Sequence, residues 1–266
     1  MTANEPEPAL EIAEGWARMV GGLRDPQLQV GWVREQLARL GPGRAADVLT
    51  VVLARAEQRE ERFLVLLLRA SLALSGPDDG GHKRAIACSA EARHQLALAR
   101  FLGAALEDEG TEPPPSGTQP APEAALDPAM QRAIASRERP LSLGERKSLA
   151  RGRDRNVLAR VLRDPHPDVV RILLDNPALT EMDVVRMCAR RPIAPEVLVQ
   201  VFRHVRWVLR YRVRRTLALN PYTPSDLAVQ LLPHLTAKDV QEVARSGDVS
   251  ERVRAACSAP RVRAVH

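Results

Sequence analysis

Six arginines and three aromatic residues crowd into FRHVRWVLRYRVRR, Phe202 to Arg215. Guanidinium forks bind phosphate or carboxylate, and aromatic faces stack bases, so this mixture is chemistry for an anionic partner. On one unbroken helix Arg203, Arg206, Arg210 and Arg214 follow one another at spacings of three, four and four and make a single cationic stripe. Four phosphate contacts would give a salt slope of about −3.6. With Trp207 and Tyr211 beside them, these are the candidate partner-binding residues.

No other stretch offers a reaction. GxxxxGK[ST], GxSxG and HExxH are all missing from the sequence, and the six histidines are scattered. His166 stands between two prolines and reads as a solvated turn residue. Cys188 shares an apolar helix face with Val184, Val185 and Met187 and reads as a small buried thiol rather than a nucleophile; Cys257 takes the matching place further on. The pairs Glu60-Glu61 and Asp78-Asp79 fall in solvated or turn positions. Gly21-Gly22 and Gly80-Gly81 lack the strand and Lys/Ser that phosphate cradles need. The expectation is a non-enzyme with no catalytic residue, cofactor, metal or small-molecule substrate.

What positions the arginines is a matter of helices. Ala, Leu, Arg and Glu dominate, and aromatics make up only 3% of the chain. Leu10, Ala13, Ala17 and Val20 keep the spacing of a buried stripe with Trp16 beside it. Val30, Val33, Leu37 and Leu40 repeat it up to Gly41, a C-cap, where Pro42 bars continuation. ADVLTVVLARAEQREERFLVLLLRASLALSG predicts two helices with a break near Gln58–Glu61, and HKRAIACSAEARHQLALARFLGAAL one or two more. The first 106 residues thus form a helical bundle or divergent helical repeats. Glu107–Pro128, rich in Pro and acids, reads as a linker to a second domain over 129–266.

That second domain repeats itself. VVRILLDNP (Val169–Pro177) aligns with VRRTLALNP (Val213–Pro221) at an offset of 44, and VRAACSAP (Val253–Pro260) is a weaker third copy. NVLARVLR (Asn156–Arg163) aligns with EVLVQVFR (Glu196–Arg203) at an offset of 40. Ser142, Thr180, Thr223 and Thr236 each stand three residues before an acid, as in a capping box, and Pro224 suits a first helical position. Asn176-Pro177 and Asn220-Pro221 end helices, because a residue before proline avoids the α region. A period near 40–44 made only of helices predicts an α-solenoid, so the fold class is all-α.

The units DPHPDVVRILLDNPALTEMDVV and RYRVRRTLALNPYTPSDLAV resemble bacterial HEAT-like or leucine-rich-repeat-variant helical repeats. The Asp164-Pro165 turn, the Val-Arg entries at 170, 213 and 253, and the apolar run into Asn-Pro carry the resemblance, over about Leu141–Pro260. It implies an armadillo-like scaffold without a fixed partner. Some HEAT-like proteins are DNA-repair glycosylases, but none of their catalytic residues can be matched here.

The register divides the arginine-rich segment. The Asp164–Asp168 turn maps onto Val208–Arg212, so a break belongs between His204 and Arg212, and the aromatics pack at a joint. Arginines at such a joint neutralise helix C-termini. Charge keeps the alternative open. Residues 1–136 carry 14 cations against 19 acids, and residues 137–266 carry 25 against 14, a balance of −5 and +11. The expected function is a non-enzymatic scaffold or adaptor for another protein; the alternative is a nucleic-acid-binding repeat module. Three cysteines without CxxC, no signal peptide and no long apolar run predict a soluble cytoplasmic protein away from membranes.

Overall fold

Among the described residues, fifteen α-helices and one 3-10 turn make up about three quarters of the backbone, and there is no strand. The structure, a computed structural model, describes residues 7–76, 80–103 and 141–258. The first helices are α1 (Glu7–Gly22), α2 (Pro26–Glu57), α3 (Glu61–Ala73), α4 (Gly80–Ala92) and α5 (Leu96–Leu102). Then come α6 (Leu143–Arg151), α7 (Arg155–Val161), α8 (Pro167–Leu174), α9 (Glu181–Cys188), α10 (Pro195–Arg203), α11 (Val205–Val208) and α12 (Tyr211–Leu219). The last are α13 (Ser225–Leu231), α14 (Ala237–Arg245) and α15 (Glu251–Ser258). All-α is therefore the class, and the stretch Glu107–Pro128 lies outside the described residues.

The chain divides into two compact units, and they are grouped differently from the division at 129. One draws on Met1–Gly110, Ser225–Arg245 and Ser250–His266; the other on Thr111–Pro224 and Ser246–Val249.

In the first unit, Asp25 caps α2 by accepting from the Gln27 N–H at 2.9 Å, and Pro26 opens the helix. Gly41, at φ 71°, breaks α2 where the Gly41-Pro42 pair predicts. Ala13, Trp16, Ala17 and Val20 of α1 are buried against the stripe of Val30, Val33 and Leu37. Gln29 is a buried link. Its amide donates to the Val20 and Leu23 carbonyls at 2.9 and 2.7 Å, and its oxygen accepts from Arg69 Nε at 2.6 Å. The end of α1 is thereby tied to α2 and α3.

The last three helices belong to this unit through specific contacts. Arg59, held at φ 64° in the α2–α3 turn, donates to the carbonyls of Pro233 and Leu235 at 3.0 and 2.9 Å. Lys83 Nζ lies 2.8 Å from Asp226 Oδ2. Gly103, at φ 80°, lets α13 approach α5 so closely that an added Cβ would sit 2.8 Å from Asp226 Cβ.

In the second unit α6 packs on α8, α8 on α10, and α9 on α12. Ser142 and Thr180 form the expected capping boxes with Glu145 and Asp183. In the first unit Thr236 Oγ1 accepts from the Asp239 N–H at 3.3 Å. The box expected at Thr223 and Asp226 does not form. Thr223 is buried and donates to the Leu217 carbonyl at 2.7 Å, Asp226 pairs with Lys83, and α13 begins at Ser225, after Pro224. His166 is not a free turn residue: it caps α8, its Nδ1 accepting from the Asp168 N–H at 3.2 Å.

The two segments aligned at offset 44 end in the same way. Asn176 donates to the carbonyls of Ala150 and Gly152 at 2.8 and 2.7 Å and accepts from the Ala178 N–H at 2.8 Å. Asn220 donates to those of Cys188 and Arg190 at 2.6 and 3.1 Å and accepts from the Tyr222 N–H at 2.9 Å. Each asparagine therefore caps its own turn and the end of the helix packed beside it.

Candidate partner-binding surface

The segment Phe202–Arg215 is three pieces, not one helix. α10 ends at Arg203, and His204 at ψ 105° turns the chain. α11 is a single turn, and Arg210 at ψ 122° leads into α12. Consecutive turns hold the backbone: the N–H groups of Trp207, Arg210 and Val213 donate to the carbonyls of His204, Trp207 and Arg210 at 3.0, 3.0 and 3.1 Å. The joint predicted between His204 and Arg212 is where the sequence register places it.

Its aromatics face inward. Trp207 is 2% exposed, and its indole N–H donates to the Leu174 carbonyl at the end of α8 at 2.8 Å. His204 closes the same contact, with Nε2 at 3.1 Å from Asp175 Oδ1 and its ring 6.3 Å from that of Trp207. Arg206 lies over the indole at 4.3 Å. Tyr211 is half-buried, with the Arg214 guanidinium 5.7 Å from its ring centre.

The arginines divide by role. Arg214 turns inward and donates to the carbonyls of Val208 and Leu209 at 3.0 and 2.9 Å, so it neutralises the C-terminal end of α11. Burial pulls its pKa below the ordinary arginine value. Arg203, Arg206 and Arg210 are exposed, as is Arg212, which the single-helix stripe left out. Of the six candidates, the structure leaves Arg203, Arg206 and Arg210 exposed to solvent and makes Trp207, Tyr211 and Arg214 part of the packing.

Other cations of this unit are held by acids. Arg146 binds buried Asp164 at 2.8 Å, Lys147 binds Asp168 at 2.7 Å, and Arg191 binds Asp248 at 2.6 Å. Arg155 meets both oxygens of Asp183 at 3.0 and 3.1 Å. Burial pushes the Asp183 carboxyl up, but hydrogen bonds from Arg155 and Thr180 outweigh it and hold its pKa below the ordinary value. These pairings bridge 18 to 57 residues and follow no motif, so sequence reading passes over them.

Cys188 is fully buried, and burial pushes its thiol far above the ordinary value, which removes the nucleophilic thiolate. Cys257 is half-buried and Cys88 exposed. Among the described residues no group of three His, Cys, Asp or Glu could hold a metal, and no helix is long and apolar enough to cross a membrane.

Comparison with family models, with curated proteins and with solved structures finds no match to this chain. Its function is therefore argued from its own geometry.

Proposed function

We propose that the protein is a non-enzymatic scaffold or adaptor whose helices between Ser142 and Asn220 stack as HEAT-like repeats and bind another protein. The observation that carries this reading is the recurrent asparagine staple. Asn176 and Asn220, 44 residues apart, each fasten a helix end to the end of a packed neighbour through two hydrogen bonds and close their own turn with a third. A device repeated at the sequence period is what a stack of like units requires, and such stacks offer long surfaces to partners. Burial of Trp207 supports a protein partner over single-stranded nucleic acid, because its ring is not available for stacking.

The second reading, a nucleic-acid-binding module, keeps support from the exposed Arg203, Arg206, Arg210 and Arg212. A pull-down with the full chain from native lysate, with and without nuclease, separates the two. A specific protein retained after nuclease treatment at raised salt is the expected result. Recovery that vanishes with nuclease would overturn the scaffold reading. Cell fractionation tests the proposed cytoplasmic location.

A further inference from the structure

From the charge at the α10–α12 joint we infer that Arg203, Arg206 and Arg210 form a docking surface for a carboxylate-rich segment of a partner protein. The inference rests on the scaffold reading and names the chemistry of its partner.

Three features place the surface. Phe202, Trp207, Val208 and Val213 are buried, so the tight turns between them leave the arginines on the solvent side. Arg203, Arg206 and Arg210 make no ion pair or hydrogen bond to an acid among the described residues, whereas Arg146, Lys147, Arg155 and Arg191 of the same unit each hold a carboxylate. Arg160, Arg171 and Arg186, also exposed, are spread over α7, α8 and α9, whereas Arg203, Arg206 and Arg210 fall on the end of α10, on α11 and at the turn into α12. At this joint three exposed arginines fall within a short stretch of chain, and no acid among the described residues pairs with them.

The stacking of Arg206 adds pre-organisation. A guanidinium lying 4.3 Å over a buried indole keeps its plane fixed while its N–H edge stays available. The indole is fixed in turn by the Leu174 carbonyl, so the arginine rests on the end of α8 rather than on a mobile side chain. A planar fork held in one orientation suits bidentate capture of a carboxylate.

Charge count and lining favour a peptide over a nucleic acid. Three phosphate contacts would give a salt slope of only about −2.7, small for a protein that relies on backbone charge. The aromatics that would stack bases lie beneath the arginines, with Trp207 buried and Tyr211 under Arg214. Alternate acidic side chains of an extended peptide would meet successive guanidinium groups without any stacking.

The test is fluorescence anisotropy with the full chain and three labelled probes: a peptide of alternating Glu and Ala, its Lys counterpart, and a short DNA duplex. Each is titrated at low and at physiological salt. The triple variant Arg203→Glu/Arg206→Glu/Arg210→Glu is compared with a control of equal charge change, Arg160→Glu/Arg171→Glu/Arg186→Glu, and circular dichroism checks that both fold. The expected result is selective binding of the Glu peptide, weakened roughly 10-fold or more by the triple variant and much less by the control. Equal loss in both variants, or no Glu-peptide binding at all, would overturn the surface and leave the scaffold reading to the pull-down. Tighter binding of the duplex, lost in the same variant, would overturn both. If the triple variant does not fold, Arg206→Gln alone serves: it keeps a polar side chain over the indole, and unchanged peptide affinity would sink the inference.

Discussion

An asparagine amide can satisfy two carbonyls through its N–H groups and one N–H through its oxygen. Asn176 and Asn220 do this in buried positions, so their removal leaves backbone groups without partners or water. Asn220→Ala should lower unfolding stability by about 1–3 kcal/mol, read from urea denaturation. Asn220→Asp should be worse, because a carboxylate would face the carbonyls of Cys188 and Arg190; an Asp variant as stable as the parent would refute the staple. Asp183 makes a separate prediction in pH. Its folded pKa lies below the ordinary 3.8, so the ionised form is favoured by folding. The stability it adds is fully present above the unfolded pKa and is lost as pH falls through the folded one. The stability gap between the parent and Asp183→Asn should therefore be largest near neutrality and close below pH 3.8. A gap that stayed constant into acid would mean that charge plays no part.

Helix ends are where local sequence speaks most directly, and two glycines show how far it reaches. Gly41, at φ 71° and ψ 163°, has open space around a would-be Cβ, so Gly41→Ala meets backbone strain alone, about 1–3 kcal/mol for a conformation that is essentially glycine's own. Gly103, at φ 80° and ψ 26°, lies in the ordinary left-handed region, which costs alanine about 1–2 kcal/mol, and it also faces Asp226 Cβ at 2.8 Å. Gly103→Ala should therefore lower unfolding stability, read from urea denaturation, by more than the about 1–2 kcal/mol of left-handed strain; a loss no larger than that would show that α13 does not lie against α5. The Gly41-Pro42 break, the boxes at Ser142 and Thr180, the Thr236 hydroxyl on the Asp239 N–H, and the Asn-Pro helix stops were all legible, because each is decided within a few residues of chain. The joint at His204 was legible for another reason: an aligned turn 44 residues earlier dictated it. Thr223 misled because a hydroxyl three before an acid is necessary for a box but does not choose its partner. The Leu217 carbonyl and Lys83 took the two side chains instead. Within the candidate surface, the presence of arginines was legible and their division was not. Whether Arg214 points to solvent or to the Val208 carbonyl depends on a turn angle at Arg210.

At the scale of the whole chain, the grouping of α13–α15 with the first five helices left no trace in the repeat pattern. It rests on Arg59, Lys83 and Gly103, residues 123 to 176 positions away from their partners, and none belongs to a motif. The weaker third copy of the repeat, α15, folds in the first unit, where it packs on α13 and α14. Its neighbour α13 supplies the surface that meets α3 and α5. A chain ending at Pro224 loses that surface. Hydrogen exchange should then rise in α3 and α5, whose buried residues Phe63, Leu66, Leu98 and Phe101 belong to the same unit. Exchange in α6 and α8, whose staple through Asn176 is complete within 142–178, should change far less. Equal acceleration in both sets would mean that the chain unfolds as one cooperative body. Unchanged exchange in α3 and α5 would mean that the Arg59 and Lys83 contacts add nothing to the first unit.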